Sequence, residues 1–285
     1  MQGKTEVWTI RRVMQWMESD FAAKGIDSAR LDAELLLADA LGIERIQLYL
    51  DLERPLRDGE LGEVKERVRR RREREPVAYI LGERGFWGRM FEVGPAVLIP
   101  RPDTETLIER ALELLEPGDR VLDLCTGSGC IAVTLAAERE VEVHATDISK
   151  DALEIARKNA DKHAVRVTFH AGDLFASAEG TFALITANPP YVTRAELATL
   201  EADVARFEPE LALVGGETGF ELIERIASEV VARLEPGGAL LMEVGEGQAA
   251  RAGELLARAG LVEVRTHRDL GKIERVVEGR KPDAT

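Results

Sequence analysis

The stretch Ala187-Asn188-Pro189-Pro190-Tyr191-Val192 sets a carboxamide before two prolines and an aromatic ring, directly after the apolar run FALIT. Each proline removes a backbone donor and fixes φ, so the pair belongs at the end of a strand. A residue before proline is driven to extended conformations. Asn188 and Pro189 both hold that position, which aims two carbonyls in fixed directions. With the Asn188 side-chain oxygen they make a set of acceptors able to grip both hydrogens of an –NH2 group and turn its nitrogen outward. Tyr191 offers an aromatic face to the planar group that carries the nitrogen. Asn188, Pro189, Pro190 and Tyr191 thus read as a substrate cradle for a planar amide or exocyclic amine, with Asn188, Pro189 and Tyr191 as the catalytic set. An amide nitrogen is a poor nucleophile because its lone pair is conjugated. Acceptors placed on its N–H groups push density back onto it and stabilise the charge that develops there.

The opposing electrophile needs its own loop. VLDLCTGSGCIAV reads as a strand, a glycine turn and a helix, with Gly127 and Gly129 letting backbone approach a ligand and the helix start supplying free N–H groups. Gly127-x-Gly129-x-x-Ala132 matches the dinucleotide fingerprint, and Asp147 follows Gly127 by 20 residues. A carboxylate there suits the ribose of NAD or of S-adenosylmethionine, and the loop does not choose between them. In HAGDLF, Asp173 ends a third strand, where it could accept from an adenine amino group, and Leu174 could pack on the base. An ordinary turn aspartate is the competing reading of Asp173.

These residues need a scaffold that brings strand ends together. From Leu107 onward, strands RVLDLC, VEVHAT, VRVTFHA, FALITA, ALLMEV, VEVRTH and ERVVEG alternate with helical segments over 129–138, 149–163, 219–234 and 248–259. Such alternation predicts a mostly parallel sheet with helices on both faces, closing in an antiparallel hairpin. Before it, TIRRVMQWMESDFAAKG carries a helical stripe at Ile10, Val13, Met14, Met17 and Phe21. A second helix is expected from Ser28 to Gly42 and a third from Gly59 to Glu75. The third bears the basic run Lys65 to Arg74, readable as a solvated face or as a surface for an acidic or RNA-rich partner. Between helices and sheet, GFWGRMFEVGPAVLIPRPDTETL has the texture of a β-hairpin or extended linker.

The chain of 285 residues carries a net charge of −14, which disfavours broad attraction to nucleic-acid phosphate. No apolar run approaches a membrane span, and MQGKTEVWTIRRV lacks the apolar core of a signal peptide. Two cysteines, Cys125 and Cys130, read as reduced thiols in a cytoplasm. The four histidines show no ligand spacing, so no metal is expected.

With EPVAYILGERGFWG, LIPRPDTETL, DLCTGSGCIA, NPPYV, EPELALVGGETG and RDLGKIERVVEGR in that order, the chain resembles the HemK/PrmC release-factor glutamine methyltransferases. These are class I S-adenosylmethionine-dependent enzymes. The resemblance implies an α/β fold: a seven-stranded Rossmann-like domain over residues 101–285, a helical substrate-recognition domain over 1–84 and a β-hairpin linker over 85–100. It implies methylation of the N5 amide nitrogen of the glutamine in the Gly-Gly-Gln loop of class 1 peptide chain release factors. The cofactor, S-adenosylmethionine, would be held by Cys125, Thr126, Gly127, Ser128 and Gly129, by Asp147 at the ribose, and by Leu174 and Asn188, to which the residue reading adds Asp173. Cys125 stands where many relatives have a first glycine. A cytoplasmic monomer with no nucleic-acid or membrane partner is expected.

Several readings compete. A DNA adenine-N6 methyltransferase uses a similar turn but needs a basic groove, which the net charge opposes. A ribosomal-protein glutamine methyltransferase shares turn and chemistry, although PRPDTE resembles the release-factor branch. An NAD-dependent oxidoreductase leaves the Asn-Pro-Pro-Tyr turn unexplained. A cofactor-binding regulatory module would not need Asn188.

Overall fold

A computed structural model describes residues 7–283. Residues 1–6 and 284–285, on which part of the N-terminal reading falls, lie outside the described residues. The chain divides into two compact units, Met1–Gly82 with Ala202–Phe207, and Glu83–Glu201 with Glu208–Thr285. The hairpin therefore groups with the sheet, and a short piece from the middle of the chain groups with the N-terminal helices.

The first unit contains helices Ile10–Ala23, Ala29–Leu41, Arg45–Leu50, Asp58–Arg72 and Val77–Leu81, with the short helix Ala202–Phe207. Ile10, Val13, Met17 and Phe21 form one buried stripe that packs with Ala33, Leu36, Leu37, Val64 and Val68. Ser28 precedes the second helix without a side-chain cap bond, and Gly42 closes it in a left-handed turn at φ 63°. The helices Arg45–Leu50 and Val77–Leu81 escape the sequence reading because neither is long enough to show a period.

The basic run is not simply a solvated face. Arg71 is buried and pairs with Asp32 at 2.7 Å and with Asp203 at 2.6 Å. Its neighbours are neutralised locally: Arg69 by Glu66 and Glu73, Arg70 by Glu75, Arg72 by Asp20, and Arg74 by Asp203.

The second unit holds eleven strands among the described residues: β1 (Glu83–Phe86), β2 (Arg89–Glu92), β3 (Arg120–Leu124), β4 (Glu142–Asp147), β5 (Val167–Ala171), β6 (Phe182–Ala187), β7 (Val192–Thr193), β8 (Val214–Gly216), β9 (Leu234–Glu243), β10 (Val262–Arg268) and β11 (Glu274–Arg280). Seven form one sheet in the order β10-β11-β9-β6-β3-β4-β5, bearing out the seven-stranded fold. The pairs β9–β6, β6–β3, β3–β4 and β4–β5 are parallel, while β11 runs antiparallel to both β9 and β10. The central strands are apolar because both their faces are covered. One face packs Phe175, Phe182, Ile223, Ile226 and Val230, and the other packs Leu107, Ile108, Ala111, Ile131 and Leu135. The helix Glu105–Leu114 and the small parallel pair β7–β8 were not foreseen.

The buried arginine predicts a stability effect. Arg71→Met removes the partner of the buried Asp32 and one of the two partners of Asp203, whose other is Arg74, and breaking such a buried pair costs roughly 3–5 kcal/mol. Urea unfolding followed by the fluorescence of Trp8 and Trp16 should show a destabilisation of about 3 kcal/mol. An unchanged midpoint would mean that Asp32 and Asp203 are solvated in the native state.

Candidate active site

Parallel pairing levels the strand ends. Leu124 pairs with Thr146 on one side and with Ala187 on the other, and Asp147 pairs with Ala171. The residues that leave β3, β4, β5 and β6 therefore emerge at one edge, where open α/β sheets bind ligands. They border a cavity of about 480 Å³, a size usual for small-molecule sites. Cys125, Thr126, Gly127, Ser128, Asp147, Asp173, Leu174, Asn188 and Pro190 line it, whereas Gly129, Pro189 and Tyr191 do not.

The glycine loop is pinned from below and from the side. Gly127 N–H donates to Asp147 Oδ2 at 2.8 Å, and Ser149 N–H donates to Asp147 Oδ1 at 2.9 Å. Burial pushes the Asp147 carboxyl up from the ordinary aspartate value, against the pull of those amides. Gly129 caps the helix Cys130–Glu138 at φ 79°, and a Cβ there would meet the Ala156 Cβ at 3.1 Å. Only glycine meets both demands.

Two residues absent from the sequence reading hold this loop. Asp123, fully buried, accepts from the Thr126 hydroxyl at 2.6 Å and from the Thr186 hydroxyl at 2.8 Å. Burial pushes its carboxyl up to about 7 despite those hydroxyls. Asn159 donates to Ser128 O at 2.9 Å and Glu92 O at 3.0 Å, and accepts from Glu92 N–H at 2.7 Å. It thereby ties the loop to the hairpin. A buried asparagine within the apolar helix face of 149–163 was the available signal.

At the third strand, the Asp173 carboxylate pairs with Arg225 at 2.8 Å, and both residues line the cavity. Leu174 is buried with φ 49°, and Cys125 sits at φ 55°. Two side chains in the left-handed region beside one cavity mark a constrained wall. Burial raises the Cys125 thiol far above its ordinary pKa, which leaves it unsuited to act as a nucleophile.

The Asn-Pro-Pro-Tyr turn is clamped by the VGGETG segment. A Cβ on Gly215 would lie 2.3 Å from Pro190 O, and one on Gly219 would lie 2.3 Å from Tyr191 O. Gln248 Nε2 donates to Tyr191 O at 3.1 Å. The Tyr191 ring is half-buried, and its Cδ2 lies 3.1 Å from where a Gly245 Cβ would sit. Burial raises its phenol above the usual value.

LIPRPDTETL is knitted around the site residue by residue. Arg101 pairs with the buried Glu208, which also accepts from Ile99 N–H at 3.1 Å. Asp103 pairs with Arg275 at 3.1 Å, and Glu105 accepts from Trp87 N–H at 2.9 Å. The Thr104 hydroxyl donates to Glu243 at 2.6 Å and accepts from Asn188 Nδ2 at 3.4 Å.

A mostly parallel seven-stranded sheet with a glycine loop after β3, and an Asn-Pro-Pro-Tyr turn after the neighbouring central strand β6, defines a class I methyltransferase. Among solved structures, a methyltransferase from Pyrococcus furiosus shares this fold with a TM-score of 0.54 at 22% identity, over 70% of this chain and 91% of that one. Residues 12–82 match the PrmC N-terminal domain, and residues 102–206 match the methyltransferase small domain. The release factor glutamine methyltransferase of Geobacter sulfurreducens is 42% identical over 282 residues, covering 98% of this chain and 99% of its own. That of Chlorobaculum tepidum is 43% identical over 285 residues, covering 95% and 96%. The chain belongs to the release factor glutamine methyltransferase family.

The strained loop position yields a prediction. An L-residue in the left-handed region is disfavoured by about 1–2 kcal/mol, part of which glycine's extra unfolded-state entropy cancels. Cys125→Gly should raise stability by up to about 1 kcal/mol with cofactor affinity within about twofold. Thermal unfolding and calorimetry check this, and a clear loss of stability would show that the thiol packs better than its backbone suffers.

Proposed function

We propose that the protein transfers a methyl group from S-adenosylmethionine to the side-chain amide nitrogen of the glutamine in the Gly-Gly-Gln loop of class 1 release factors. The observation that carries this is the convergence of the glycine loop, Asp147 and Asn188 on one cavity edge. The residues present suit the cofactor. The loop is held by Asp123 and Asn159, Asp147 stands where ribose hydroxyls could bond it, and Leu174 supplies an apolar wall. When bound, S-adenosylmethionine supplies an electrophilic methyl on a sulfonium centre.

The protein's own task is then positioning. Asn188 Oδ1 and the carbonyls of the turn accept from the two N–H groups of the substrate amide, which fixes the nitrogen and leaves its remaining face open. These acceptors also stabilise the positive charge that builds on nitrogen in the transition state. Fixed orientation is worth roughly 7–11 kcal/mol in favourable cases, so no strong base is required before transfer. As the new N–C bond forms the S–C bond breaks, its electron pair staying on sulfur, and one amide proton leaves late to Asn188 Oδ1, the Pro189 carbonyl or water. The Asp173–Arg225 pair at the cavity wall gives Asp173 a partner of its own; its adenine contact is part of the proposal.

The helical unit is proposed to read the protein substrate. One glutamine is too small to identify a release factor, and binding energy gathered remotely helps to hold the loop in place. The short helix Arg45–Leu50 leaves Ile46 and Leu50 66% and 78% exposed, one turn apart.

Mass spectrometry of a release factor incubated with the enzyme and labelled S-adenosylmethionine tests the activity, with one methyl expected on the Gly-Gly-Gln glutamine. Asp147→Ala should weaken cofactor binding by roughly 1–3 kcal/mol in calorimetry. Asn188→Ala should lower kcat about 10²-fold with a smaller effect on cofactor affinity. Near wild-type turnover in Asn188→Ala would make that residue a structural cap.

A separate measurement addresses the helices. The double change Ile46→Asp, Leu50→Asp should reduce kcat/KM on an intact release factor about tenfold and leave a short Gly-Gly-Gln peptide unaffected. Equal losses on both substrates would remove the recognition role.

A further inference from the structure

Asn188 has one side-chain acceptor atom, Oδ1, and one donor atom, Nδ2 with its two hydrogens, and only one of them suits the reaction. An –NH2 substrate needs Oδ1; a flipped carboxamide would face it with Nδ2, donor against donor. The turn itself does not decide between the two orientations, because prolines restrict backbone and leave the terminal torsion of a preceding side chain free.

A buried pair behind the turn does decide. Thr104 Oγ1 gives its only proton to Glu243 Oε2 at 2.6 Å, so its lone pairs are left to accept from Asn188 Nδ2 at 3.4 Å. The Asn188 side chain also lies close enough to the Glu243 carboxyl to help hold its pKa down. Both residues are about 2% exposed. Nδ2 is thus engaged from behind by Thr104, whose own proton is committed to Glu243. We propose that Glu243 and Thr104 are positioning residues that fix the Asn188 carboxamide with Oδ1 toward the substrate nitrogen, an inference that rests on the reading of Asn188 given above.

The carboxylate has a second effect. A carboxylate that takes the Thr104 proton makes that hydroxyl oxygen a stronger acceptor for Nδ2, which draws the amide toward its charge-separated form and strengthens Oδ1 as an acceptor; such chains reinforce one another in a poorly solvated site. Burial pushes the Glu243 carboxyl up to about 7, opposed by Thr104, Arg275 and Asn188 and assisted by Asp103. Arg275 of β11, Asp103 from the Pro102–Thr104 turn, the Tyr191 phenol and the Cys130 thiol are the other charged or titratable groups facing it. The clamp is complete in the ionised form, and below about pH 7 the neutral carboxyl brings a proton that competes with Nδ2. Asp123 titrates in the same range, so the assignment depends on a variant that removes only Glu243.

The test measures kcat, KM and the cofactor Kd on a short Gly-Gly-Gln peptide between pH 6 and 9. Thr104→Val keeps the shape but loses the hydroxyl. It should lower kcat at least about tenfold with cofactor Kd unchanged, and Thr104→Ser should recover kcat to within about threefold. Glu243→Gln should lower kcat about tenfold at pH 8 and lack the rise through about pH 7 expected of the wild type. Wild-type kcat in Thr104→Val, equal losses in the serine and valine variants, or an unchanged pH profile in Glu243→Gln would overturn the proposal. If Thr104→Val fails to bind cofactor, the Glu243→Gln profile decides alone. A wild-type protein that binds cofactor but methylates no glutamine peptide would instead overturn the reading of Asn188, and this proposal with it.

Discussion

Parallel pairing of β3 with β4 on one side and β6 on the other is the constraint on which the rest depends. Leu124, Thr146 and Ala187 stand level in three adjacent strands. The next residues of each chain segment therefore meet at one edge without any long loop. A shift of one residue in either pairing would turn alternate side chains to the opposite face and separate the Asn188 turn from the glycine loop. The apolar packing on both faces of these strands holds that register.

Buried carboxyls sit directly behind both reactive loops. Asp123 lies under the glycine loop and Glu243 lies behind the Asn188 turn, each bonded to hydroxyls rather than to a cation at close range. Removing a carboxyl from water is costly, which is why both hold their protons to about pH 7. Within the apolar ends of a sheet such groups serve as fixed acceptors that orient neighbouring polar atoms. The outer ring of ion pairs, Arg101 with Glu208 and Arg275 with Asp103 and Asp269, joins segments distant in sequence around the same edge.

Close approach of backbone to backbone completes the turn. Gly215 and Gly219 let the VGGETG segment lie against the carbonyls of Pro190 and Tyr191, and Gln248 bonds the latter. A turn that must present its acceptors at fixed angles is thus supported from behind by two separate segments. The prolines alone restrict it only at the chain level.

Periodicity and turn residues were sufficient for the sheet. Seven strands alternating with helices, and prolines or glycines at the strand ends, made the order of elements and the location of the glycine loop, Asp147 and Asn188 legible in the residues themselves. Those signals are local, since each depends on spacing within about 20 residues. The short helices Arg45–Leu50 and Val77–Leu81 carry too few turns to show a period. Ala202–Phe207 joins the helical unit through Asp203, whose partner Arg71 lies in a run that reads as uniformly basic. Thr104, Asp123, Asn159 and Glu243 are ordinary polar residues in sequence; motifs or an apolar helix face surround some of them, but no local spacing tells which atom each one orients. Their partners lie far along the chain in several cases, as Thr104 and Glu243 do, and burial gives their hydrogen bonds consequence. Which residues enter chemistry was a matter of local composition; which residues aim them was decided by strand pairing and burial, because hydrogen bonds between distant segments have no signature in spacing.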